Sequence, residues 1–207
     1  APSAVMAPTL PSRTCARHCR VVFMARPLAP FASMFVNADD PATAQTTDAL
    51  PYNDPAALRA RLARGDVAAV VVESALTNCG LVLPTPEFVA SLNTDVRAAG
   101  ALLIVDETHV QFAVHGGGTT AFGIEPDMLT GGKGIGGGVP IGVIGMTDAV
   151  AEVMTANRDH DPGLVETGDA HGLAVGGTLY GNALSMAAAR VGLSEIFTRE
   201  ASARVDT

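Results

Sequence analysis

The sequence predicts an α/β fold built on a mainly parallel sheet flanked by helices. Val67-Ala68-Ala69-Val70-Val71-Val72 and Ala101-Leu102-Leu103-Ile104-Val105 are continuous apolar runs, the pattern of strands covered on both faces. Between them Val89, Leu92 and Val96 recur at helical spacing, so the three segments read as a β-α-β unit with parallel strands.

Each element can be justified in order. Residues 1 to 38 carry Arg13, Arg17, Arg20 and Arg26 and no acid, which leaves nine basic against 21 acidic residues, a net −12, in the remainder. An arginine-containing, acid-free leader resembles an organelle transit peptide. Val21 to Ala25 is too short for a secretory core and is cut by Arg26 and Pro27. Cys15-Ala16-Arg17-His18-Cys19 has no second pair of ligands to complete a metal site. Residues 1–45 are therefore left unassigned, as a poorly ordered or truncated end, and residues 46–207 are read as the folded domain.

Asn53 or Asp54 can cap a helix with Pro55 at its first position, and Gly65 sits where a C-terminal cap belongs. The first apolar run then ends in Glu73. Thr85-Pro86 opens the helix carrying Val89, Leu92 and Val96, and Gly100 closes it. The second apolar run ends in Asp106. In open α/β sheets ligands bind at the carboxyl ends of the strands, so Glu73 and Asp106 belong to one functional edge. A loop rich in Gly and Thr follows, then Asp127-Met128-Leu129-Thr130 as a short strand delivering Lys133 to that same edge. Val139 to Met146 read as a strand pair, and Thr147 or Asp148 caps a helix running to about Ala156. Residues 157–177 are irregular and hold His160 and His171. Asn182 opens a last helix in which Leu184, Ala187, Ala188, Val191 and Ile196 form an apolar face. His115, His160, His171 and Cys79 have structural readings only.

A net charge of −8 and a pI near 4.9 argue against nucleic acid or an anionic membrane surface as a general partner. No apolar run reaches the ~18 residues of a membrane span. Three cysteines, an odd number, suit a reducing compartment better than a disulfide scaffold. A cytoplasmic protein is expected, or an organellar one if the leader acts as a transit peptide.

Lys133 is the only lysine in the chain, against twelve arginines, and six glycines surround it between Gly131 and Gly138. Glycine lets the main chain take positive φ and approach a flat ligand closely. Such an amine can form a Schiff base. It can equally be a surface charge on a glycine turn, in a composition that prefers arginine. A phosphate-binding P-loop is excluded, because Gly134 stands where Ser or Thr must hold Mg²⁺. Gly132-Lys133-Gly134-Ile135-Gly136-Gly137 fits a dinucleotide fingerprint, with Glu152 20 residues past Gly132. That motif must open a helix, whereas Gly138 and Pro140 follow. A nicotinamide dehydrogenase is thus the weaker alternative.

Three motifs in order carry a family resemblance: Val105-Asp106-Glu107-Thr108-His109; Gly131-Gly132-Lys133 with Gly136-Gly137-Gly138-Val139-Pro140-Ile141-Gly142; and Gly176-Gly177-Thr178-Leu179-Tyr180-Gly181-Asn182. They resemble the class III aminotransferases, the pyridoxal-phosphate family that includes glutamate-1-semialdehyde aminomutase. The resemblance covers about residues 50 to 197. It implies the later half of the large domain of a fold-type I transferase, acting as an aminotransferase or aminomutase on an amino acid or amino-aldehyde. Lys133 would be the Schiff-base lysine and proton carrier, a role that needs a neutral amine and so a desolvated site. Asp106 would pair with the pyridine nitrogen, unless it only caps the following turn. His109 matches a position near the ring 3-oxygen, or is a satisfied loop histidine. Thr178 matches the residue that binds the cofactor phosphate across the interface of a homodimer. Glu73 matches a family Glu-Pro strand end, with Ser74 here in place of proline. The chain is shorter than the family's, and lacks its phosphate-cupping Gly-Thr segment, its ring-stacking aromatic residue and its C-terminal small domain. A truncated, non-catalytic remnant is accordingly the alternative to an active enzyme.

Overall fold

The computed structural model describes residues 20–25, 46–78, 80–156 and 178–205. Its strands are β1 (Arg20–Ala25), β2 (Thr47–Pro51), β3 (Val67–Glu73), β4 (Leu102–Asp106), β5 (Met128–Gly132) and β6 (Gly142–Met146). Among the described residues they form one sheet in the order β2-β1-β3-β4-β5-β6. Every pairing is parallel except β5 with β6.

The helices on this sheet begin where the sequence says they should. In α1 (Pro55–Leu62) Asp54 is the cap, its carboxylate accepting from the Ala57 amide at 2.8 Å, and Gly65 beyond the end has φ +72°. In α2 (Pro86–Ser91) the Thr85 hydroxyl accepts from the Phe88 amide, and the helix runs on as one π-helical turn, Leu92–Val96. Val89, Leu92 and Val96 are buried, as their spacing requires. They meet Val22 and Met24 of β1, Val70 and Val72 of β3, and Leu103 and Val105 of β4 in one apolar layer with Leu58, Leu62 and Phe88. Alternate strand residues face that layer. On the opposite face Val71, Leu102 and Ile104 are only half-buried, so among the described residues the runs are covered on one side and not on both.

Five segments depart from the sequence reading. Arg20–Ala25, within the unassigned 1–45, is an internal strand between β2 and β3. Its Arg20 and short length hid it, although Val22 and Met24 are core residues. The loop after β4 contains a helix, α3 (Gly117–Phe122). The expected strand pair Val139 to Met146 is the single strand β6. Gly136 to Pro140 is a turn, in which the Val139 amide donates to the Gly136 carbonyl at 3.0 Å and Pro140 has no N–H to offer a ladder. After α4 (Asp148–Ala156) and α5 (Ala183–Val191, extended by a π-helical turn Gly192–Ile196) comes an unforeseen helix, α6 (Arg199–Val205). In α5 Asn182 is the cap, as read. Its large apolar residues do not face inward, however: Leu184, Val191 and Ile196 are exposed, and the small residues Ser185, Ala189 and Gly192 are the buried stripe.

Arg61 fastens the start of the unit, donating to Asp48 of β2 at 2.7 Å and to Asp66 before β3 at 2.5 Å. No helix among the described residues is long and apolar enough to cross a membrane.

Phe88 is fully buried and its ring lies 4.9 Å from that of Tyr52. Phe88→Ala should cost about 3–5 kcal/mol of unfolding free energy. A denaturant titration that shows less than about 1 kcal/mol would contradict a core organised around this side chain.

Candidate active site

Parallel strands in register bring equivalent side chains to one face, and Glu73 is the register partner of Asp106 while Asp106 is that of Thr130. β5 continues two residues beyond Thr130 and Lys133 follows at once. Glu73, Asp106 and Lys133 therefore emerge at the same carboxyl edge. They also feel one another. The Glu73 carboxyl is held above its ordinary value by partial burial first and by the negative charge of Asp106 second, against weaker opposing effects of a Thr77 backbone hydrogen bond, His109 and Lys133.

Asp106 is half-buried, and its Oδ1 accepts from the Thr108 amide at 2.8 Å. The capping role is thus real for one carboxylate oxygen. His109 is exposed, with Nδ1 in hydrogen-bond contact with the Thr77 hydroxyl, so it joins the loop after β3 to the loop after β4. Thr178 is exposed in the turn that leads into the Asn182 cap of α5. Lys133 is exposed as well. A desolvated amine is therefore not found among the described residues; the bare glycines that free the lysine from neighbours also leave it open.

The backbone of Lys133 has φ +48°. The left-handed region costs a non-glycine residue about 1–2 kcal/mol, so the surroundings must impose it. The residue opens one 3₁₀ turn, Lys133–Gly136, rather than the helix a dinucleotide fingerprint needs, which removes that alternative. Phe112, from the loop after β4, lies under the turn: a Cβ on Gly134 would come within 2.6 Å of its ring. Phe112 in turn stacks on Phe197 with ring centroids 3.6 Å apart. From the other side the Ser185 hydroxyl donates to the Pro140 carbonyl at 2.8 Å, and a Cβ on Gly192 would collide with the Ile135 carbonyl.

Sequence reasoning missed the residues that build this edge. Glu107 is 4 % exposed. Its carboxylate accepts from the amides of Gly118 at 3.0 Å and Thr119 at 2.5 Å and from the Ser74 hydroxyl at 3.2 Å. It therefore caps α3 from outside that helix and ties it to the ends of β3 and β4. Proline at position 74 would have no hydroxyl to give. Gln111 donates from Nε2 to the carbonyls of Thr108 at 3.1 Å and Gly132 at 2.6 Å, and accepts from the Gly132 amide at 3.4 Å. The available signal was weak: a second acid beside Asp106, and a glutamine in a loop. Cys15, His18, Cys19, Cys79, His160 and His171 lie outside the described residues.

Comparison with known proteins follows the same lines. The Aminotransferase class-III family profile matches residues 13–207, so residues 13–45, which the sequence reading set apart, fall within the match. A glutamate-1-semialdehyde 2,1-aminomutase of Deinococcus deserti is 42% identical over 153 residues, covering 72% of this chain and 31% of that protein. One from Sorangium cellulosum is 45% identical over 116 residues, 54% of this chain and 26% of that protein. The chain thus spans about a third or less of the length of these curated relatives. Among solved structures, a glutamate-1-semialdehyde aminomutase from Pseudomonas aeruginosa PAO1 superposes with a TM-score of 0.73 at 35% identity, over 90% of this chain and 44% of that one. A variant of it has been solved in complex with PMP. A β-phenylalanine aminotransferase from Variovorax paradoxus gives a TM-score of 0.69 at 32% identity, over 91% and 42%.

The raised Glu73 pKa fixes a sign. A carboxyl that binds its proton more tightly folded than unfolded lowers stability as pH rises through its folded titration, and the loss is absent below its unfolded value. Glu73→Gln should therefore melt higher than the wild type near neutral pH, and the two melting curves should converge as the pH falls below ~4, the ordinary carboxyl range. A gap that is independent of pH would show that Glu73 pays no ionisation penalty.

Proposed function

The chain belongs to the class-III aminotransferase family, and on that premise we propose that the protein is a pyridoxal-phosphate-dependent aminotransferase or aminomutase acting on an amino acid or amino-aldehyde. The observation that carries this reading is the arrival of Lys133, Asp106 and Glu73 at one sheet edge, with the chain's only lysine held in a left-handed turn between bare glycines. The aminomutases and aminotransferases among the proteins it resembles support the reaction class.

The residue types at this edge fit the group, although the Lys133 amine is exposed and not desolvated. Gly137 and Gly138 have nothing within 4 Å of where a Cβ would stand, so the turn that follows Lys133 leaves room for a flat ring. Glu73 and Asp106 make the edge electronegative: after burial, the charge of Asp106 is what raises the Glu73 carboxyl, and this suits a cationic pyridinium. When bound, the cofactor supplies an aldehyde for an amine and a ring that withdraws electrons from the substrate carbon. Lys133 is the residue we assign to hold it and afterwards to carry the proton at Nζ. Asp106 keeps one oxygen on the Thr108 amide, and the other is assigned to the ring N–H. His109, fixed through Thr77, is assigned to the ring oxygen. The hydroxyl of Thr178 is assigned to the phosphate, across the interface of a homodimer. The exposure of Thr178, Leu179, Tyr180 and Leu184 supports that assembly.

Purified protein treated with pyridoxal phosphate and then borohydride should carry a pyridoxyl mass on the Lys133 peptide. Lys133→Ala should confine labelling to the terminal amine. Asp106→Ala should still take the label while exchange of a substrate α-proton in D₂O falls about 10²-fold or more. Absence of label from wild-type Lys133 would remove the reading.

A further inference from the structure

The β4 strand stops before β5 does. The last ladder bond between them runs from the Glu107 amide to the Thr130 carbonyl at 2.9 Å. Backbone groups of alternate strand residues face the same neighbour, so Gly132, two residues on, presents its N–H and C=O to a place where β4 has already ended. The side chain of Gln111 fills that place. Its Nε2 donates to the Gly132 carbonyl at 2.6 Å and its Oε1 accepts from the Gly132 amide at 3.4 Å. A primary amide carries the donor and acceptor of a peptide unit, and here it adds one rung to the ladder. Its second donation, to the Thr108 carbonyl at 3.1 Å, fixes it to the loop that begins at Asp106.

We propose that Gln111 is a positioning residue for Lys133, holding the lysine backbone in register with Asp106. The inference rests on the reading of Lys133 as the cofactor-binding lysine. Gly132 has no side chain to limit its conformation, and the strained residue that follows it, with φ +48°, has to be imposed from outside. Gln111 supplies that restraint from the very segment that carries Asp106, so the separation of the two functional groups is set by one side chain. The glycine at position 131 is part of the device: a Cβ there would stand 2.6 Å from Gln111 Oε1. Gly131→Ala should push the amide off Gly132 and thereby reproduce the loss of Gln111.

The test has two arms. In the first, residue-resolved amide hydrogen exchange is measured on the wild type, Gln111→Ala, Gln111→Met, Gly131→Ala and the Gly131→Ala/Gln111→Ala double variant. Gly132 should exchange about tenfold faster in each, the equivalent of roughly one net hydrogen bond, while Val70 and Val105 in the core keep their wild-type rates. Gln111→Met is of similar length with neither the amide donor nor the amide acceptor, and keeps the measurement available should the truncation not fold. The double variant should be no worse than Gln111→Ala alone. In the second arm the rate of borohydride-trapped pyridoxyl labelling at Lys133 is followed against pyridoxal phosphate concentration. Its maximum should fall several-fold with an unchanged half-saturating concentration, because position is altered and binding is not. Unchanged exchange at Gly132 in Gln111→Ala, or full addition of the two single effects, would overturn the proposal. If wild-type Lys133 takes no label, the functional reading falls, and the exchange arm alone decides whether Gln111 sets the Lys133 backbone.

Discussion

A carboxylate taken out of water has to be met by donors, and Glu107 is met by two backbone amides at the start of α3 and by the Ser74 hydroxyl. Leaving such a group unpaired would cost several kcal/mol. The three donors come from the loop after β3 and from a helix that follows β4. Their shared acceptor therefore locks together the two strand ends that present Glu73 and Asp106. The glycines at 117 and 118 are required by closeness: a Cβ at Gly118 would run into Ser74, and one at Gly117 would approach Glu107 Oε2 to 3.0 Å. The edge is rigid because its anchor is buried one residue away from the group it serves.

The Lys133 turn is held by a different means. No charge fixes it; small residues let neighbouring segments close on it from both sides. Phe112 approaches Gly134, and α5 with its π-helical extension lays Ser185 against Pro140 and Gly192 against Ile135. Helical spacing of small side chains allows backbone-to-backbone approach that Leu or Val would forbid. This is also why the large residues of α5 point outward. A left-handed lysine is tolerated because packing below and beside it, and the Gln111 amide before it, leave no other arrangement for the chain.

The elements legible in the sequence were those whose cause is local. Asp54, Thr85 and Asn182 cap helices through their own side chains three residues on, and the buried strands β3 and β4 declare themselves by unbroken apolar runs. The meeting of Glu73, Asp106 and Lys133 followed from strand order, a property of parallel sheets that needs no long-range contact to predict. What escaped was non-local. α3 has a glycine-rich sequence that favours a loop, and it is helical because a carboxylate eleven residues back from Gly118 receives its first amides. β1 has an arginine at its start and lies in an acid-free leader, but its partners on either side supply the ladder. The α5 stripe was misread because hydrophobic periodicity assumes that burial rewards size, whereas this contact rewards the absence of it.

The electrostatics of the edge give the site a direction. Adjacent parallel strands ending in acids place Glu73 and Asp106 in register, and the nearness of the second raises the proton affinity of the first. Like charges so placed are tolerated only if something positive sits between or beside them. Lys133 and His109 act in that sense on Glu73, though more weakly than burial and Asp106 do. The part of that shift due to Asp106 is the part that a nearby cation would oppose. A ring carrying a protonated nitrogen would lie with that nitrogen toward Asp106, and its anionic end would have to point away from both carboxylates. The exposed turn at Thr178 is a hydroxyl-bearing position that does not share the strand-end register of those two acids. On the proposed reading, the same pair of acids would favour a cationic ring nitrogen at this edge over an anionic group.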